Sequence, residues 1–160
     1  MSLIVRDIQK LEHSFLDQML YHAIFVHPGE QPPTKDIINH PDIAKYIEDF
    51  GREGDCCLVA ELDGNLVGAI WTRIFSEQNK GYGFVDAQTP ELCMAVINEY
   101  RGIGIGSVLL GKMLHMLKDM GYSNVSLSVD KRNYAINLYR LFNFTEIKTY
   151  GNSATLIRKL

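Results

Sequence analysis

The order of elements in this chain predicts an α+β fold, one mixed central sheet with helices packed against it. Two observations carry that expectation. Hairpin signals cluster in the first half around Asp63-Gly64, whereas from Glu91 onward strand and helix patterns alternate. Size is a third: 160 residues with 46% hydrophobic side chains suffice for one domain, residues 1–160, and are too few for two.

Leu3 to Arg6 reads as a first strand. Asp7 is placed to cap a helix running to about Phe25, with Ile8, Leu11, Phe15, Met19 and His22 at helical spacing. The stretch His27-Pro-Gly-Glu-Gln-Pro-Pro33 ends that pattern, because proline removes a backbone donor and blocks helical continuation. A second helix is expected from about Thr34 to Phe50, with an interruption allowed at Pro41 and closure at Gly51 and Gly54. Cys56–Glu61 and Asn65–Trp71 are strands joined by the Asp63-Gly64 turn. Ser76 to Thr89, polar and weakly patterned, reads as a loop.

Glu91 to Ile97 is nearly continuously apolar, the mark of a strand buried on both faces. The next helix has Ile105, Leu109, Met113, Met116/Leu117 and Met120 as its core stripe, and Gly121 sits where a C′ residue belongs. Asn124–Val129 alternates like a half-buried strand, and a helix from about Asn133 to Phe142 leads to a strand near Thr145–Thr149. Gly151-Asn152 turns the chain into the last strand, Ala154–Lys159. The total is six to seven strands and about four helices.

The bulk numbers exclude several classes. A formal net charge of −3 argues against a general nucleic-acid binder. From Lys131 onward six basic residues face one acid, either a solvated basic face or an electrostatic aid to a phosphorylated ligand. No segment approaches 18 consecutive apolar residues, so no membrane span is expected. No CxxC or HExxH spacing occurs, so no metal site is expected. Three cysteines, two of them adjacent, suit a reducing, cytoplasmic setting.

The densest signal is Met94-Ala-Val-Ile-Asn-Glu-Tyr-Arg-Gly-Ile-Gly-Ile-Gly106, a short apolar strand, a turn and three glycines opening a helix. Unpaired N–H groups and the positive end of the helix dipole would there meet an anion such as a diphosphate. The dinucleotide fingerprint GxGxxG fails, since Ser107 and Leu109 stand where its third glycine belongs. The phosphate loop GxxxxGK[ST] fails at Met113, which replaces the hydroxyl that would hold Mg²⁺.

Arg101-Gly-Ile-Gly-Ile-Gly106 does resemble the (Gln/Arg)-x-x-Gly-x-(Gly/Ala) signature of the GNAT superfamily of N-acetyltransferases. A second segment, Asn133-Tyr-Ala-Ile-Asn-Leu-Tyr-Arg-Leu-Phe-Asn-Phe144, resembles the family's Asn-x-x-Ala-x-x-Leu-Tyr-x-x-x-Gly-Phe run, with Asn143 in place of glycine. The likeness spans about Glu91 to Phe144. It implies a mostly antiparallel sheet whose fourth and fifth strands splay apart to admit acetyl-CoA as co-substrate.

By that resemblance the pyrophosphate lies on the backbone of Gly102, Ile103, Gly104, Ile105 and Gly106, with Arg101 at the turn. The pantetheine arm pairs with the backbone of Met94 and Val96, the Val96 N–H meets the thioester carbonyl, and Asn133 contacts the arm from the other side. Tyr139 takes the position of the general acid. Glu91 is either the base, directly or through water, or a strand-end carboxylate in solvent. The acceptor, a small-molecule or peptide amine, would meet Tyr21 to Asp36 and Tyr150 to Ser153. Tyr21, Phe25 and His27 are candidates for an aromatic pocket, while His22 fits either that pocket or the helix core. Trp71 and Arg73 are candidates for the same cleft. The resemblance also admits a homodimer, and a rival class, a GNAT domain that holds acyl-CoA without turnover.

Overall fold

The computed structural model of the protein describes residues 2–160. Seven strands form one sheet: β1 (Leu3–Asp7), β2 (Cys56–Leu62), β3 (Asn65–Arg73), β4 (Glu91–Val96), β5 (Asn124–Asp130), β6 (Thr145–Tyr150) and β7 (Ser153–Lys159). Their spatial order is β1-β2-β3-β4-β5-β7-β6. All neighbours run antiparallel except β4 and β5, which are parallel and share the single register pair Glu91↔Ser126. A parallel pair needs a crossover, and α3 (Ile105–Asp119) supplies it. Beyond that one pair the two strands diverge, which is why Met94 and Val96 are only half-buried in a strand expected to be covered on both faces.

Alternation along the strands sends side chains to two cores. On one face Leu58, Ile70, Leu92, Leu127 and Leu156 pack against the α3 stripe Leu109, Met113 and Leu117, with Ile136 and Tyr139 of α4 (Ala135–Leu141) completing the layer. On the other face Val59, Ala69, Trp71 and Ala95 meet Phe15, Leu16, Met19 and Leu20 of α1 (Phe15–Ala23). Met120, expected in the α3 stripe, is 50% exposed. It lies past the helix end, where Tyr122 N–H donates to Leu117 and Gly121 N–H to Lys118 in a Schellman closure.

The first half departs from expectation in two places. Asp7 does not cap a helix. It pairs with Leu58, and Ile8 N–H extends the same ladder to Cys57 O at 3.1 Å. A 3₁₀ turn, Lys10–Glu12, follows, in which Glu12 accepts the Gln9 N–H and two bonds from Arg6. The helix therefore starts only at Phe15, and Leu11 stands 96% exposed instead of in the core. The expected second helix is reduced to a 3₁₀ turn, Lys35–Asn39, and one short α2 (Pro41–Ala44). Pro41 is its first helical residue, and His40 Nδ1 accepts the Asp42 N–H as the cap.

Candidate active site

Between β4 and α3 the chain makes a 3₁₀ turn, Asn98–Tyr100, and then turns sharply through Arg101 to Gly104. Arg101 Nε donates to Val96 O at 2.9 Å and ties this turn back to the strand end. Gly102 and Gly104 have φ of 80° and 91°, with nothing within 4 Å of where a Cβ would stand. Glycine is needed there for the backbone conformation, not for room. No acidic side chain lies in the first turn of α3, so its free N–H groups keep their positive end unneutralised. Gly104→Ala is expected to cost about 1–2 kcal/mol in urea denaturation, and an unchanged midpoint would contradict that account.

The diverging strands open a cleft of about 1060 Å³. Ile97 N–H donates to Val67 O on β3, so odd-numbered residues of β4 turn their backbone groups toward β3. Even-numbered residues face the other way, as the Ser126 N–H to Pro90 O bond confirms. The N–H groups of Met94 and Val96 therefore aim into the opening. Arg101, Gly102, Gly104, Ile105 and Gly106 line it at the helix end, while Ile103 is half-exposed and contributes no lining surface. Across the opening Asn133 also lines it. Its Oδ1 accepts the Ala135 N–H at 2.9 Å, which opens α4.

Tyr139 lines the cleft and is 7% exposed. Its ring stacks edge-on with Phe144 at 5.7 Å. Burial, and secondarily the neighbouring Cys93, push its phenol above the ordinary value, so it stays protonated.

Glu91 is not a solvent-facing strand end. It is 3% exposed because residues far away in sequence close over it. Tyr46 donates its hydroxyl proton to Oε2, and the Gly83 N–H donates to the same oxygen at 3.1 Å. Oε1 has no partner. Burial raises the carboxyl to about 7, against the opposing pull of those two bonds and of Lys45.

No motif in the sequence points to Tyr46 or to the Gly81-Tyr82-Gly83 turn. The one available signal was a pair of glycines flanking an aromatic residue inside a polar loop. Trp71 and Arg73, expected in the cleft, instead hold the segment that carries Tyr46. Trp71 Nε1 donates to Tyr46 O at 3.1 Å. Arg73 reaches the Lys45 and Glu48 carbonyls while paired with Asp55 at 2.8 Å.

At the acceptor side His22 and Phe25 line the cleft, and Ser153 reaches it from the β6–β7 turn. Tyr21 does not line it. Its hydroxyl donates to Pro33 O at 2.6 Å and closes the loop after α1. His27 and Tyr150 also lie outside the lining. Of the basic residues near the C-terminus, Arg132 lines the cleft, held by Asp130 and Glu30 and lying over the Phe25 ring. All three cysteines are free, and no group of metal-ligand side chains occurs among the described residues. No helix among them is long and apolar enough to cross a membrane.

The chain is similar to known proteins in sequence and in fold. An N-alpha-acetyltransferase of Sulfolobus acidocaldarius is 34% identical over 113 residues, which is 64% of this chain and 64% of that protein. A [Ribosomal protein bS18]-alanine N-acetyltransferase of Haemophilus influenzae is 34% identical over 81 residues, 48% of this chain and 56% of the relative. The chain thus matches less than two thirds of either relative's length. In fold it is similar to a phosphinothricin acetyltransferase of Sinorhizobium meliloti solved in complex with AcCoA. The TM-score is 0.72 at 17% identity, over 100% of this chain and 89% of that one. The model of the Acetyltransferase (GNAT) family matches residues 16–144, and with the splayed strands and glycine turn already in view, the chain belongs to that family.

Proposed function

We propose that the protein transfers an acetyl group from acetyl-CoA to a primary amine of a small molecule or peptide by direct attack on the thioester. The observation that carries this reading is the opening itself. It has unpaired strand donors along one wall, an unneutralised helix start at one end, and Glu91 at the other. Five residue steps of β4 put roughly 17 Å between Glu91 and Val96.

In this reading the α3 start and Arg101 hold the pyrophosphate, while Met94, Val96 and Asn133 hold the arm. The Val96 N–H meets the carbonyl oxygen as negative charge grows there, an interaction worth roughly 3 kcal/mol in comparable sites. Glu91, well down β4 from Val96, takes through a relay of water in the cleft the proton that the attacking ammonium must lose. As the carbon–sulfur bond breaks, Tyr139 gives its proton to the departing thiolate and recovers one from solvent. The named activities of the relatives favour the α-amine of a peptide N-terminus as the acceptor to try first.

Thermal-shift titration with acetyl-CoA and CoA, followed by thiol release against N-terminal peptides and small amines, tests the proposal. Stabilisation by both carriers and release with at least one amine class is expected. Stabilisation without release against any amine would point to a carrier-binding domain, and no stabilisation would remove the anchoring role of the glycine turn.

A further inference from the structure

We infer that Tyr46 is a positioning residue for Glu91, and that with the Gly81-Tyr82-Gly83 turn it leaves Oε1 as the single oxygen that receives the amine's proton. This rests on the reading of Glu91 as base.

The geometry is over-determined. The Tyr46 hydroxyl accepts the Tyr82 N–H at 2.6 Å, which leaves its own proton for Glu91 Oε2. Gly83 N–H is the second donor to that oxygen, so Oε2 is saturated, while Oε1 has no hydrogen-bond partner and lies buried beneath Gly81, where a proton reaches it only through water. The turn is fixed in its own right: Ser126 Oγ donates to Gly83 O at 2.7 Å, and a Cβ on Gly83 would stand 2.6 Å from the Leu127 carbonyl carbon. Gly81 passes directly over the carboxyl. A Cβ there would collide with Oε1 and stand 2.8 Å from the Tyr46 oxygen. Trp71 and Arg73 hold the Tyr46 segment from behind. A lone pair fixed in direction, on a carboxyl that cannot rotate, is the requirement for proton transfer without reorganisation.

Other ionisable groups around the carboxyl do not substitute for Tyr46. Lys45 is occupied by Lys80 O at 2.8 Å and Asp42 at 3.5 Å. Cys93, two residues along β4, is held neutral by burial. The Tyr82 ring stacks on Tyr46, and its phenol is raised by burial and by Asp42. His22 and Tyr139 line the same cleft.

The test is Tyr46→Phe, which keeps the ring and removes the donor. Carbon-13 NMR of glutamate-labelled protein, with Glu91→Gln identifying the resonance, should show the Glu91 midpoint rising by about one unit or more. The acidic limb of kcat/KM, read with acetyl-CoA and a peptide bearing a free α-amine, should rise with it, while KM for acetyl-CoA stays within about twofold. Gly81→Ala reaches the same carboxyl from the opposite side and should lower kcat far more than it raises KM. An unmoved NMR midpoint in Tyr46→Phe overturns the inference. A midpoint that moves while the kinetic limb does not, or a limb that survives in Glu91→Gln, overturns the base reading and this inference with it, yet leaves acetyl transfer standing.

Discussion

Tyr139→Phe is expected to fold as the parent does and to lose about 10²–10⁴-fold in kcat, the usual span for removing a positioned general acid. The structure separates the two effects. The ring is held by Phe144 at 5.7 Å and by the surrounding core, and phenylalanine keeps those contacts. No hydrogen bond contributes to the phenol's shift, so the substitution should cost little stability. Burial makes this phenol a weaker acid than a free tyrosine. The same apolar surroundings penalise the departing thiolate too, which narrows the gap between proton donor and acceptor when the carbon–sulfur bond breaks. Steady-state kcat across pH 6–10, beside melting curves, checks this. Unchanged turnover at every pH would remove Tyr139 from the chemistry.

Glu91→Gln should lose the acidic limb near pH 7 together with about 10²-fold or more in kcat, and it should also change how stability depends on pH. The folded carboxyl titrates near 7 against an ordinary value of 4.5. Below pH 4.5 folded and unfolded chains both hold the proton. Between 4.5 and 7 the unfolded chain releases it while the native state keeps it, so native stability falls as pH rises, and above 7 the loss is complete. At roughly 1.4 kcal/mol per pKa unit the amount is about 3 kcal/mol. The variant has no such group, so relative to the parent it should gain that amount between pH 4.5 and 8. Urea denaturation of both proteins at the two ends measures the difference. Parallel curves would mean that the carboxyl titrates normally.

The later half of the chain was the legible part, because its signals are local. Asp63 and Gly64 take φ of 49° and 88°, the paired positive values that their hairpin turn demands. Asn143, standing where the family has glycine, adopts φ 67° and so preserves the left-handed position. The α3 stripe is visible because period 3.6 needs only its own residues. The region around Glu91 was opaque for the opposite reason: its partners lie 45 and 8 positions away, and no periodicity announces them. Arg73 misled because a charged residue at a strand end normally faces water. Here Asp55 and two carbonyls absorb it within the protein. Leu11 misled because helical spacing continued on paper through a segment whose backbone was already committed to β1 and a 3₁₀ turn.

A sheet joined across its middle by one register pair behaves like a tuning fork. One tine is β1 to β4 and the other β5 to β7, each rigid through its own antiparallel ladders, with the stem where Glu91 meets Ser126. Gly83 acts as the rivet there, bonded to Glu91 on one tine and to Ser126 on the other. The spacing of the prongs is therefore set at the stem together with the α3 layer, which packs on Leu92 of one tine and Leu127 of the other.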